Sequence, residues 1–416
     1  MILESYLKKY NLTLRKFHLI SGIPESTIRS INKRDIDKWN IEYFNAISKV
    51  IGKSKCMVIK ELENMEVNLK GYHNKNFEGL SGRYNLENRR YIGNKNKLMN
   101  WISGLLEEYT TGNTFFDVFA GTGTVSKYIL PKYNKIILND FLFSNNVIFK
   151  AFFEKKNYDK NKILDYQHLF QEIKINSEDD NYFVDNYGGK FFSEHDAKII
   201  GEIRTKIANA NDLNEKERAI LLASLIYSLD KIANTVGHYD AYRKKENIKN
   251  KFIFELINPL DTSGKEIEIY REDSNKLVRN IFADIAFIDP PYNSRQYSRF
   301  YHLLENIVKW DKPALEGIAM KPPVENMSEY SKTKAPEIFD DLIKNLKAKY
   351  IVVTYNNTYK SKSNSSKNKI THEQILHSLN NIGNTQTFEI PFQFFNAGKT
   401  YLKDHKEFVF ITEVRK

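Results

Sequence analysis

The sequence predicts a mixed α/β fold, in which a mostly parallel sheet follows a small all-α unit. From residue 89 onwards, short apolar runs alternate with helical stretches, which is typical of sheets whose strands are buried on both faces. Residues 1–65 show helical periodicity only. The chain has 416 residues, more than one hydrophobic core usually organises, so two domains, or one domain with a large insertion, are expected.

Composition and charge indicate a globular protein with a phosphate-rich partner. Hydrophobic residues make up 41% and aromatic residues 13%, enough for a packed core. No apolar run is long enough to span a membrane and no signal-peptide core is visible, so a cytoplasmic protein is expected. The single cysteine, Cys56, excludes an intramolecular disulfide framework and a cysteine-cluster metal site. A net charge of +11 and a pI near 9.2 favour a polyanion such as nucleic acid.

The N-terminal unit is predicted to consist of short helices. They are expected over Ile2–Tyr10, from the capping residue Thr13 to Ser21, and over Glu25–Ile31, Ile41–Ile51 and Met57–Met65. The second and third helices, joined at a Gly22 turn, resemble the helix-turn-helix of phage-repressor-like DNA-binding domains. In that interpretation the residues that face DNA are Ser26, Thr27 and Arg29. The alternative is a generic helical bundle.

The remaining chain is predicted to begin with a linker and to continue as a sheet. Residues 66–88 are polar and rich in Gly and Asn, which is typical of a linker, and 359–369 predicts a solvated loop. Strands are expected at Thr114–Phe119, Lys135–Leu138, Ile267–Tyr270, Ile285–Ile288, Tyr350–Thr354 and Glu407–Thr412. Because ligands of such sheets bind at the carboxyl ends of strands, the residues at those ends form the candidate site.

A glycine turn after the first strand predicts a pocket for a nucleoside-like ligand. Gly121 and Gly123 can adopt dihedral angles closed to other residues and let the backbone approach a ligand. The turn lacks the third glycine of a dinucleotide fingerprint and the Gly-Lys-Ser/Thr of a phosphate-binding loop, which disfavours hydride and phosphoryl transfer. Asp140, about twenty residues further on, has the spacing of a carboxylate that binds ribose hydroxyls. Upstream, Lys95 is suited to a ligand carboxylate.

The tetrapeptide Asp289-Pro290-Pro291-Tyr292 follows the strand Ile285–Ile288 and predicts chemistry on an exocyclic amine. Consecutive prolines have no N–H, so they end the sheet ladder and leave carbonyls free to accept hydrogen bonds. The Asp289 carboxylate and the Pro290 carbonyl can hold both hydrogens of a base amine and turn its lone pair towards a methyl sulfonium. Tyr292 would stack on a base that has left the duplex, with Phe300 and Tyr301 extending the apolar wall. The alternative is that the prolines merely end a strand.

The motifs YIGNKNKL, DVFAGTGTVS, ILND, YREDS, AFIDPPYN and IVVTYNN together resemble the D12-type, alpha-order class of adenine-N6 DNA methyltransferases. The resemblance implies a Rossmann-like, seven-stranded methyltransferase sheet formed by residues 89–149 and 266–416. It implies S-adenosylmethionine as donor, double-stranded DNA as substrate and a cognate restriction endonuclease as a possible partner.

The resemblance also implies roles for individual residues. Asp117 is placed near the methionine amine and Asp140 at the ribose. Asp273 is placed at the adenine amine of the cofactor, with the adjacent Glu272 as its competitor. The implied cofactor contacts are Tyr91, Gly93, Lys95, Asp117, Phe119, Gly121, Gly123, Asp140 and Asp273. The implied catalytic residues are Asp289, Pro290, Pro291 and Tyr292.

Residues 150–265 lie where this class inserts target-recognition elements. A helix is expected over Glu215–Ala233, followed by the loop NTVGHYDAYRKK. Aromatic residues interleaved with Arg and Lys suit base stacking and phosphate contact, so the candidate DNA contacts are His238, Tyr239, Tyr242 and Arg243. His238 beside Asp240 could instead indicate a metal or an acid–base pair, but no third ligand is nearby, and a structural turn is the other alternative. No metal site is predicted.

Two other functions stay open on the sequence alone. One is an RNA or cytosine-N4 amino-methyltransferase on the same scaffold, and Asp at the first tetrapeptide position disfavours it. The other is a DNA-binding regulator with a vestigial catalytic half, and the intact tetrapeptide and glycine turn disfavour that function. The sequence predicts neither the target sequence nor the oligomeric state.

Overall fold

The structure of the chain is a computed structural model that divides into two compact units, Met1–Glu78 and Gly79–Lys416. It describes residues 2–10, 12–32, 34, 36–70, 79–93, 95–175, 181–235, 237–244, 247–358, 367–392 and 405–415. None of the described helices is both long and apolar enough to cross a membrane.

The N-terminal unit is built from five α-helices in its described part. They are α1 (Ile2–Lys8), α2 (Leu14–Ser21), α3 (Glu25–Ile31), α4 (Ile41–Ile51) and α5 (Lys55–Lys70). The Thr13 side chain caps α2 by accepting the N–H of Lys16, and Gly22 ends it in the left-handed conformation with φ 71°. The helices enclose a core of their own, which includes Tyr6 and Phe17.

The second unit contains a seven-stranded sheet. Its strands are β1 (Thr114–Asp117), β2 (Lys135–Asn139), β3 (Glu266–Tyr270), β4 (Phe282–Ile288), β5 (Lys347–Asn356), β6 (Gly383–Pro391) and β7 (Lys406–Val414). The order across the sheet is β3-β2-β1-β4-β5-β7-β6. The first five strands are mutually parallel, and β7 runs antiparallel to β5 and β6. The prediction of a mixed α/β fold with a seven-stranded, mostly parallel sheet is confirmed.

Helices cover both faces of the sheet. They are α6 (Met99–Tyr109), α7 (Thr124–Ile129), α8 (Phe143–Phe153), α9 (Lys160–Gln171), α10 (Tyr182–Tyr187), α11 (Glu194–Asn209), α12 (Glu215–Ile232), α13 (Ser274–Leu277), α14 (Tyr297–Phe300), α15 (His302–Lys309), α16 (Ala335–Asn345) and α17 (His372–Ile382). Successive side chains of a strand point to opposite faces. Phe115 accordingly packs in the core that holds α8 and α12, and Phe116 packs in the core that holds α16 and α17.

One predicted segment, the linker 66–88, has a different local structure from the one expected. The predicted linker 66–88 contains the end of α5, and Leu80, Tyr84 and Leu86 are buried in the core of the second unit. Its residues 71–78 lie outside the described residues, as do 359–366 of the predicted loop 359–369. The helices of 150–265 share one hydrophobic core with the sheet, because that segment carries long apolar helix faces such as that of α12.

Candidate active site

One cavity lies at the carboxyl ends of β1, β2, β3 and β4. All of the predicted cofactor and catalytic residues line it except Gly123. Gly123 lies just behind the wall, at the start of α7, with φ 74°. A Cβ atom there would lie 3.2 Å from ring carbons of Phe149 and Phe153, so both the backbone conformation and the packing require glycine.

Asp140 fastens the glycine turn to the end of β2. Its two carboxylate oxygens accept the backbone N–H groups of Gly121 and Leu142, each at 2.9 Å. Burial raises the pKa of this carboxyl above its ordinary value, and these hydrogen bonds oppose that rise. Asp140 is therefore held rigidly at the cavity wall, in the position predicted for a ribose-binding carboxylate.

Asp117 ends β1 and is 1% exposed. It accepts a hydrogen bond from the Ser126 hydroxyl at 2.7 Å. Burial raises the pKa of Asp117 to about 7, and the negative charges of Asp289 and Asp140 add to the rise. A cationic group beside Asp117 would favour the ionised carboxylate. This is consistent with the predicted contact between Asp117 and a ligand amine.

Asp273 lines the cavity at the start of α13, where its side chain accepts the N–H of Lys276 at 3.1 Å. The adjacent Glu272 is exposed and is not among the described residues that line the cavity. The fully buried Asn139 fixes this turn, since its Oδ1 accepts the Glu272 N–H at 3.0 Å and its Nδ2 donates to the Val118 carbonyl at 3.2 Å. Sequence reasoning passed over Asn139, although it belongs to the quoted motif ILND.

Aromatic rings form another part of the wall. Tyr91 stacks on Tyr301 with ring centroids 4.7 Å apart and on Tyr297 at 5.4 Å. Tyr301 is fully buried behind Tyr91, and Phe300 stacks on His238 instead. Of the aromatic residues on this short helical segment, Tyr297 is the one that lines the cavity, so the expectation for Phe300 and Tyr301 is corrected.

The Asp289 carboxylate is held by one oxygen. Its Oδ1 accepts hydrogen bonds from the Tyr292 hydroxyl and, at 2.8 Å, from the Thr354 hydroxyl, and it lies 3.1 Å from the Lys95 ammonium. No described residue donates to Oδ2. One oxygen therefore fixes the carboxylate while the other is left for a ligand in the cavity. Thr354 was missed as an individual residue, although the motif IVVTYNN contains it.

Lys95 is 5% exposed and lies beside two carboxylates. Besides Asp289, its Nζ lies 3.7 Å from Glu407 Oε2, and it donates to the Tyr292 hydroxyl. Burial lowers the pKa of Lys95, but Asp289 and Glu407 raise it more, so the net pKa lies above the ordinary value. The residue expected to suit a ligand carboxylate thus has protein carboxylates as its partners here.

Tyr292 is supported from β5 and from the segment before α17. Its carbonyl accepts the Lys369 N–H at 2.8 Å and the Tyr355 hydroxyl at 3.3 Å. Its ring packs edge-on against Tyr355, with centroids 4.9 Å apart. The tetrapeptide is therefore a fixed feature of the strand end.

The predicted DNA-facing loop is only partly exposed. Tyr239 is 1% exposed and donates to Asp230 at 2.8 Å, so it belongs to the core and its predicted DNA contact is corrected. His238 and Tyr242 are half-buried, and Arg243 is exposed. Asp240 pairs with Lys321, and the described residues contain no group of three His, Cys, Asp or Glu that could hold a metal ion.

In the N-terminal unit, the three predicted DNA contacts lie on α3. Ser26 and Arg29 are exposed and Thr27 is half-buried. Arg29 forms an ion pair with Glu25 at 2.7 Å, one turn earlier on the same helix. This side of α3 is therefore open to solvent. The ion pair with Glu25 is also exposed, so it holds the Arg29 guanidinium only weakly.

Comparison with models of known protein families finds a match over most of the second unit. Residues 91–370 match the family model of the D12 class N6 adenine-specific DNA methyltransferases. The chain belongs to this family. The match begins at the cavity residue Tyr91 and includes every described residue that lines the cavity.

Relatives of the chain are named as modification methylases or type II methyltransferases. It is 36% identical to the modification methylase StsI of Streptococcus sanguinis over 286 residues, covering 64% of this chain and 44% of the relative. It is 34% identical to the modification methylase LlaI of Lactococcus lactis subsp. lactis over 64% of this chain and 46% of the relative. It is 28% identical to the type II methyltransferase M.NlaIII of Neisseria lactamica over 76% of this chain and 95% of the relative. The chain thus spans less than half the length of the first two.

Proposed function

We propose that this chain transfers the methyl group of S-adenosylmethionine to the N6 amine of an adenine in double-stranded DNA, at a specific target sequence. The observation that carries the proposal is the Asp289 carboxylate, which lines the cavity: its Oδ1 is occupied by protein donors, while no described residue donates to its Oδ2. Family membership and the names of the relatives support it.

The described wall fits S-adenosylmethionine. The glycine turn supplies a close backbone approach, Asp140 a carboxylate for ribose hydroxyls, and Asp117 a carboxyl for an ammonium. Tyr91, Gly93, Phe119 and Asp273 complete the proposed contacts. When bound, this cofactor supplies an electrophilic methyl group on a cationic sulfur. Together with the sheet order, these contacts support a Rossmann-like methyltransferase fold.

In the proposed reaction, the target base leaves the duplex and stacks on Tyr292. Asp289 Oδ2 and the Pro290 carbonyl accept the two N6 hydrogens, which turns the nitrogen lone pair towards the methyl group. The C–N bond forms as the S–C bond breaks, with the electron pair passing to sulfur. Asp289 stabilises the positive charge that develops on N6 and is placed to accept the released proton first.

We further propose that the chain modifies DNA for a restriction–modification system in the cytoplasm, alongside a separate endonuclease. The relatives' names as modification methylases and type II methyltransferases support this role. The net charge of +11 suits a duplex partner, and the exposed Arg243 with the half-buried His238 and Tyr242 are the proposed DNA contacts.

For the N-terminal unit we propose a helix-turn-helix DNA-binding role through Ser26, Thr27 and Arg29 on α3. The left-handed Gly22 between α2 and α3 supports that geometry. A variant lacking residues 1–78 separates two uses of the unit. If it regulates transcription, the variant loses promoter binding and keeps methyl transfer; if it assists target binding, a folded variant loses both.

The test of the catalytic proposal uses labelled S-adenosylmethionine, duplex DNA and sequencing that detects modified bases. The wild-type chain should yield N6-methyladenine at one sequence, and Asp289→Ala should bind cofactor without transferring methyl. Asp165→Ala, a change at an exposed position on α9, is the matched control and should stay active. Label found only in N4-methylcytosine, RNA or protein would contradict the proposal.

A further inference from the structure

Glu407 is a buried carboxylate at the active-site edge that the proposed reaction does not use. It lies near the start of β7 and pairs in register with Asn356 at the end of β5. Because β7 runs antiparallel to β5, its first residues reach the edge at which the parallel strands end. The residue is 6% exposed and lies outside the matched family segment 91–370.

The Lys95 ammonium lies 3.7 Å from Glu407 Oε2, and the side chain of His405 also interacts electrostatically with this carboxylate. Oε2 is buried and accepts no hydrogen bond from any described residue. Burial of a carboxylate oxygen without a close donor is costly for the fold, since burial of a charge is offset only by close pairing. Packing alone would be better served by an amide or an apolar side chain, so the negative charge itself requires an explanation.

The explanation lies in the charge balance around Asp289. Lys95 is 3.1 Å from the Asp289 Oδ1, and with no other anion it would form a closed, neutral pair with the catalytic carboxylate. Burial raises the pKa of the Glu407 carboxyl, and the Lys95 ammonium opposes that rise. In its ionised form, Glu407 makes the set two carboxylates and one ammonium, with a net charge of −1. A site in which positive charge develops on an amine nitrogen needs such a surplus.

We propose that Glu407 is a positioning residue for methyl transfer: it shares the Lys95 ammonium with Asp289, so that Lys95 anchors Asp289 Oδ1 without neutralising the carboxylate. The proposal rests on the function proposed above and adds a residue to its site. Glu407 touches neither base nor cofactor in this role and acts through Lys95.

Titration provides a signature that packing alone would not give. The titratable groups around Lys95 are Asp289 and Tyr292 after β4 and Glu407 on β7, with His405 beside Glu407. The two carboxylates together raise the pKa of Lys95, so removal of one lowers it. Activity that depends on the protonated ammonium is then lost at a lower pH than in the wild type.

The experiment compares the wild type with Glu407→Gln and Glu407→Asp in the full chain, using labelled S-adenosylmethionine and duplex DNA. Glu407→Gln should lower kcat about 10- to 100-fold, leave the Kd for cofactor nearly unchanged and move the alkaline limb of the kcat profile to lower pH. Glu407→Asp keeps the charge and should restore the wild-type alkaline limb. Glu413→Gln is the matched control, an exposed position on β7 about 20 Å along the strand, and should change neither quantity.

The outcomes separate the two proposals. A folded Glu407→Gln variant with wild-type kcat, or with a lower melting temperature but an unmoved alkaline limb, would overturn the role of Glu407 and leave the methyltransferase proposal standing. A wild-type chain that binds cofactor and transfers no methyl group to DNA would overturn the proposed function, and this inference with it.

Discussion

Replacement of Thr354 by valine would test the anchoring of Asp289, the proposed catalytic carboxylate, most directly. Thr354 is 1% exposed near the end of β5, and its hydroxyl donates to Asp289 Oδ1 at 2.8 Å. Valine has a similar shape, so the change removes one hydrogen bond and preserves most of the packing. Thr354 is not among the described cavity-lining residues, which predicts an effect on chemistry and not on ligand binding.

The expected magnitude follows from the charge on the acceptor. A hydrogen bond to a charged group contributes about 1.5–3 kcal/mol. If the whole loss appears in the transition state, kcat falls about 10- to 150-fold, because each 1.36 kcal/mol is a factor of ten. Tyr292 and Lys95 still hold Oδ1 in the variant, so the result should lie towards the lower end of that range.

Steady-state methyl transfer gives kcat and KM, and calorimetry gives the cofactor Kd of the same preparations. The control is Thr412→Val on β7, where a fully buried hydroxyl lies 3.0 Å from the hydroxyl of Thr385, on the neighbouring strand β6. Both variants lose one buried hydroxyl contact, but only Thr354→Val should have a lower kcat than the wild type. Equal kcat in the two variants, or a rise in KM alone for Thr354→Val, would refute the reasoning.

Two further predictions concern the cofactor side of the cavity. Burial raises the pKa of Asp117 to about 7, and a bound ammonium favours the ionised form, so cofactor affinity should rise between about pH 6 and about pH 8. Calorimetry should show this rise flattened in Asp117→Asn; a parallel pH dependence would contradict the assignment. Gly123→Ala should lower stability by about 2–4 kcal/mol, from left-handed strain and contact with Phe149 and Phe153. Gly189→Ala, at φ 67° in open space, should lose only about 1 kcal/mol in thermal unfolding, and equal losses would show that the Phe contacts are unimportant.

Short-range patterns predicted much of the fold and many of the residues that line the cavity. The buried strands β1, β2, β4 and β5 are continuous apolar runs, and each predicted run lies within or overlaps its observed strand. Because the carboxyl ends of parallel strands meet at one edge, Asp117, Asp140 and Asp289 were bound to converge once the strands were recognised.

Features that depend on distant contacts were not predictable in this way. The edge strand β6 (Gly383–Pro391) is mostly exposed or half-buried, so it lacks the apolar run that identified the other strands. Tyr239 has the local sequence of a solvent-facing loop, but Asp230 and the Phe300 carbonyl draw it into the core. The proposed role of Glu407 depends on its contact with Lys95, which lies more than three hundred residues earlier in the chain.

The charged residues that line the cavity are mostly acidic, whereas the chain as a whole is basic, and this difference affects which ligands the cavity accepts. The described acidic residues that line it are Asp117, Asp140, Asp273, Asp289, Glu329 and Asp341, while Lys95 is the one basic residue among the described lining residues. A net charge of +11 would draw the phosphate backbone of the proposed DNA substrate to the protein surface. Phosphate is repelled from the cavity itself, whereas a neutral base with an exocyclic amine and a cationic methyl donor both suit it. In the proposed reaction, the field that lowers the energy of positive charge on N6 would therefore also favour entry of the base over entry of the phosphate backbone.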